Sequence, residues 1–104
     1  AQRERRTREE ENRQRELAKR RQEREQYLAT LAEDFERHWL SVHQLAEQQT
    51  SSAYDRACDL LVDLSEAYPL AHRRDEFLEK LRQFRAIYAR RSALLRRLDK
   101  AGIK

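Results

Sequence analysis

A chain of 104 residues holds one small domain at most. It is 40% charged and 38% apolar, with one Gly and one Pro, which leaves little material for hairpin turns and argues against strands. Its net charge of +4 conceals a segregation: ten Lys/Arg against seven Asp/Glu in residues 1–26, two against eight in 27–68, and eleven against four in 69–104.

Glu, Arg, Leu, Ala and Gln are good helix formers, so composition predicts an all-α fold. No apolar run approaches the roughly 20 residues of a membrane span, and no signal-peptide pattern opens the chain; no membrane partner is expected. A single Cys cannot close an internal disulfide, which fits a reducing, cytoplasmic compartment. The chain has no Met even at its start. Ala1 could follow a removed Met, but the expectation carried forward is a fragment of a longer protein.

The stretch RERRTREEENRQRELAKRRQERE (residues 3–25) contains one large apolar side chain, Leu17. It can still hold a helix, because Glu4–Arg8, Glu9–Arg13, Glu11–Arg15 and Glu16–Arg20 are i,i+4 pairs in the favourable order. Such pairs contribute about 0.2–0.5 kcal/mol each. Residues 1–26 are therefore read as a charged helical arm, either solvated or completed by a partner.

From Tyr27 the pattern changes. Leu28, Leu31, Phe35, Trp39, Val42 and Ala46 follow steps of three and four along one helical face. Leu28, Phe35 and Val42 are also spaced by seven, as in a coiled-coil seam. Leu17, eleven residues before Leu28, falls on that face too. The spacing predicts one helix over about residues 3–48, about 70 Å long, with its second half docked. Leu40 points almost opposite the apolar face and, with Leu17, marks a candidate partner contact.

QQTSSAYD interrupts the periodicity, with Ser51 or Ser52 as the expected N-cap and Asp55 completing an approximate capping box. A second helix over about 52–68 buries Tyr54, Ala57, Cys58, Leu61, Leu64 and Tyr68. Its apolar sector is the widest in the chain, so it is expected at the centre and to stop at Pro69. A third helix near 74–90 turns Phe77, Leu81, Phe84 and Tyr88 inward. A fourth near 92–101 uses Leu94, Leu95 and Leu98 and ends at Gly102, the usual residue just past a helix C-terminus. Residues 27–104 thus form a small helical bundle.

Chemistry-bearing constellations are sparse. His38 and His43, five apart, do not share a helix face, the Glu-x-x-His of di-iron bundles is missing, and a second Cys for zinc is missing. His38, at the edge of the apolar face, reads as a packed histidine. Cys58 sits on an inner face, where a small buried hydrophobe is the default. No Gly-rich loop can supply an oxyanion site or cradle a phosphate. No cofactor, metal, small-molecule substrate or catalysis is expected, and Trp39, in register with Phe35 and Val42, reads as core.

Two charge stripes remain. Asp55, Asp59, Asp63 and Glu66 are expected on the outer side of the second helix. Arg96, Arg97, Lys100 and Lys104, with Arg90 just before, are expected on the outer side of the fourth. They read first as solvated faces, and functionally as a dipolar surface that recruits partners.

YDRACDLLVDL at 54–64, Phe77 and Leu81, and ARRSALLRRLDKAGI at 89–103 together resemble the helical C-terminal region of bacterial SWIM zinc-finger proteins and related tetratricopeptide-like chains. The matching positions are Tyr54, Asp55, Leu60, Leu61, Arg90, Arg91, Leu94, Leu95, Leu98, Asp99, Ala101 and Gly102. That family's zinc-binding Cys and His ligands are absent here, so neither zinc nor its DNA-binding role carries over. The resemblance implies a terminal helical-repeat fragment whose work is packing and protein contact. The sequence thus points to a non-catalytic protein-interaction or structural module, self-association through the first helix included. The alternative is nucleic-acid binding through the basic arm and the basic fourth helix.

Overall fold

The computed structural model describes the backbone of residues 2–104 and the side chains from Arg6 onward. Five helices follow in chain order: α1 (Gln2–Ala32), α2 (Phe35–Glu47), α3 (Ser51–Leu70), α4 (Arg74–Ile87) and α5 (Ser92–Lys100). The fold is all-α. No helix among the described residues is long and apolar enough to cross a membrane.

The single helix expected over residues 3–48 is two. Glu33 and Asp34 close a last tight turn on the carbonyls of Thr30 and Leu31 at 3.3 and 3.2 Å. Asp34 then leaves helical geometry (φ −155°, ψ 76°), and its carboxylate accepts the Arg37 N–H as the N-cap of α2. Asp competes for local backbone donors in this way. The periodicity hides the break because Leu28, Leu31 and Phe35 enter one core on either side of it.

Thr50, not Ser51 or Ser52, caps α3: its hydroxyl accepts the Ala53 N–H at 3.1 Å. Nor does Pro69 stop α3. It removes one backbone donor but lies in the last turn, where the Ala71 N–H still reaches the Ala67 carbonyl at 3.2 Å. The helix ends at Leu70, and the chain turns away at His72, whose φ of 59° is left-handed. The His72 and Arg73 amides bond back to Pro69 and Tyr68, the paired closure of a Schellman motif. Gly102 (φ 80°) closes α5 identically, with Ile103 buried beneath it. The sequence pattern leaves open whether the third and fourth predicted helices are one or two; they are two, and α4 ends at Ile87 rather than near residue 90.

The central element is α3, which packs against every other helix. Ala53, Ala57 and Ala67 keep its surface close to its neighbours, and Leu61, Leu64 and Tyr68 fill the middle. Phe35 stacks on Tyr68 with ring centroids 3.7 Å apart. Trp39 packs beside Phe77 and Phe84 and donates its indole N–H to the Tyr68 hydroxyl at 2.8 Å. The polar ends of both large rings are thereby satisfied inside the core, the condition for burying them at little cost. Leu45 and Ile103 also belong to this core, although the sequence pattern did not single them out.

Candidate functional site

The core begins at Leu28, and every side chain from Arg6 to Tyr27 is exposed. Hence the first part of α1 projects while its last turns dock, and the molecule measures 62 × 27 × 19 Å. Leu17 stands 53% exposed on the arm and Leu40 58% exposed on the outer side of α2, both as expected. Of the i,i+4 pairs on the arm, Glu16–Arg20 closes at 3.0 Å. Glu9–Arg13 and Glu11–Arg15 do not close, and Glu4 lies outside the described side chains.

Where the arm leaves the bundle, Arg24 forks onto α3. Its guanidinium donates to Asp63 at 2.7 Å and to Glu66 at 2.5 Å. The Tyr27 hydroxyl adds a 3.1 Å bond to the second oxygen of Asp63. The hydrogen bonds to Glu66 and Asp63 raise the pKa of Arg24, whereas partial burial and then Asp63 raise that of Tyr27. This clasp was missed in the sequence. The available signal was Arg24 itself, four residues before Leu28 and so on the docked face of α1.

The acidic stripe is therefore not a free outer surface. Asp63 and Glu66 face the root of α1, and Asp55 bonds Arg97 of α5 at 2.7 Å. Asp59 alone among the four makes no ion pair with a described residue. The basic stripe divides likewise. Arg97 is only partly exposed, held by Asp55 and the Ala93 carbonyl and lying over the Tyr54 ring. Arg90, Arg96, Lys100 and Lys104 stay exposed and make no ion pair with a described residue. Asp55, Cys58, Asp59, Arg97 and Lys100 line one shallow surface depression, so the two stripes meet at the α3–α5 edge.

Cys58 is buried, and burial followed by the nearby Asp59 and Asp55 pushes its thiol pKa up. That environment suppresses the thiolate a nucleophile needs. His43, rather than His38, is the histidine against the core rings, packed on Phe84 and Tyr88. Its Nδ1 lies 2.9 Å from the Tyr88 hydroxyl, and burial lowers its pKa. No group of three or more His, Cys, Asp or Glu among the described residues could hold a metal ion.

No family model, curated protein or solved structure matches the chain. Among the residues behind the SWIM-type resemblance, Leu61, Leu94 and Leu98 are fully buried and Gly102 closes a helix.

Proposed function

We propose that this chain is a non-catalytic helical module that makes protein–protein contacts, with the bundle as the mount and the arm of α1 as the contact element. One observation carries the reading. The bundle has a continuous apolar core and pairs its buried polar groups, with no unpaired buried side-chain N or O among the described residues. By contrast, residues 6–23 form helix whose side chains are all exposed. A helix that gains so little from its own fold is stabilised by what it meets. The buried thiol of Cys58 accords with a reducing, cytoplasmic setting.

A photo-crosslinking residue at Leu17, compared with one at Leu40, tests this inside the producing cell. A discrete protein adduct at position 17, a neighbouring copy of the chain included, is expected. Nucleic-acid adducts alone, or none at position 17, would overturn the reading.

One observation favours a second reading, nucleic-acid binding: Arg96, Lys100 and Lys104 are exposed and make no ion pair with a described residue. It ranks lower because Arg97, expected to join them, is committed to Asp55. Each phosphate contact adds about 0.9 to the salt slope on duplex DNA, so Arg96 and Lys100 alone would give a slope near −2. Micromolar binding at physiological salt, lost in R96E/K100E, would promote this reading.

A further inference from the structure

The clasp at the root of α1 shows what its docked face recognises. Arg24 meets two carboxylates one turn apart on a neighbouring helix, with Leu28 burying apolar surface beside it. The same face continues up the arm. At about 100° per residue, Arg13, Leu17 and Arg20 lie within about 40° of the direction of Arg24, and Arg21 about 60° from it. Between residues 13 and 24 no acidic residue enters that sector; Glu16 and Glu23 stand at its flanks. The stripe thus repeats the clasp, arginines around one leucine, beyond the part of α1 that α3 covers.

We propose that the face formed by Arg13, Leu17, Arg20 and Arg21 docks an acidic amphipathic helix of a partner protein. That helix carries carboxylates about one turn apart beside an apolar residue and lies along the arm as Asp63 and Glu66 lie against Arg24. This inference rests on the protein-contact reading above and names the chemistry of the partner. Forked guanidinium–carboxylate pairs supply orientation, and Leu17, 53% exposed, supplies the apolar point of contact. Among the described residues the only ion pair on the face is Arg20–Glu16, between side chains 70% and 66% exposed, which contributes little and exchanges readily.

A second copy is a poorer occupant. On α3 and α5 the carboxylates Asp55, Asp63, Glu66 and Asp99 are already paired within the chain, and two copies of the arm would set arginine against arginine. A nucleic-acid duplex, wider than one helix, would also meet the flanking Glu16 and Glu23.

The test titrates the whole chain, with backbone amides observed by NMR, against four probes. These are an Ala/Gln-based helical peptide with Glu and Leu along one face, a scrambled isomer, the same peptide with Lys in place of Glu, and a random-sequence DNA duplex. The Glu-striped peptide is expected to shift amides on the arm around residues 13–24. It should bind at least tenfold more tightly than its isomer and lose at least tenfold in R13E/R20E/R21E, whose bundle amides stay unchanged. Equal binding of the two isomers, no loss in the variant, or no arm shift with any probe would overturn the inference. Preference for the Lys peptide would overturn it while keeping the arm as a protein-binding helix. Tighter arm binding to the duplex than to any peptide would overturn both.

Discussion

His43 packs against the Phe84 and Tyr88 rings with Nδ1 against the Tyr88 hydroxyl, and burial depresses its pKa below the ordinary 6.5. Glu47 pulls the other way but less strongly. The unfolded chain therefore takes up this proton before the folded one does. Its contribution to stability is full above about pH 7 and is lost as pH falls through the interval between 6.5 and the depressed value. Urea midpoints across that range should fall on acidification in the native chain and fall less in His43→Gln; identical profiles would show that His43 does not titrate with folding. At Gly102, φ is 80° and an added Cβ would meet nothing within 4 Å. Gly102→Ala should thus cost about 1 kcal/mol from the left-handed backbone alone. A neutral result in thermal unfolding would mean that the C-terminal turn forms no part of the cooperative unit.

At the scale of the elements, the arm and its root should separate experimentally. The clasp side chains are between 22% and 50% exposed, so water and salt screen the pairs. Arg24→Gln should therefore cost no more than about 1 kcal/mol globally. Its larger effect should be local: amides near residues 20–27 should exchange faster, and high salt should reproduce this in the native chain. Further out, arm amides around 8–18 should exchange quickly at every salt concentration. Strong protection there that does not depend on protein concentration would contradict an unsupported arm. The breaks between elements follow single residues as well. Asp34, Thr50 and Gly102 act through caps and backbone sign that sequence can suggest, whereas His72 in a left-handed turn carries no sequence signature.

For the whole molecule, stability rests on α3. Leu61 is fully buried among the helices around it, so Leu61→Ala should cost about 2–5 kcal/mol in chemical denaturation. A loss within the half kilocalorie typical of surface changes would make α3 peripheral. The ion pairs Arg24–Asp63, Arg97–Asp55 and Arg85–Asp99 join different helices at the rim of that core. They fix how α1 and α5 sit against their neighbours more than they add energy. The basic–acidic–basic order along the chain thus becomes, in three dimensions, an acidic central helix gripped from both sides by arginines.

Periodicity and composition alone determined the all-α class, the central second apolar segment, the docked set from Leu28 to Ala46, and the charged arm. These follow from local helix geometry and from which side chains can be removed from water. Leu40 was legible as exposed for the same reason, and Leu17 only because the arm that carries it was expected to project. The break at Asp34 was not, because a single capping residue can redirect a helix without disturbing the apolar spacing on either side. The fate of the charges was decided only by tertiary structure. Nothing in the spacing of Asp55, Asp63 and Glu66 shows that Arg97 and Arg24, thirty-nine to forty-two residues away, will meet them. Packing of α1 and α5 against α3 brings those groups together. The same packing leaves Arg13, Arg20 and Arg21 beyond its reach, because the bundle surface ends below them while the helix that carries them goes on.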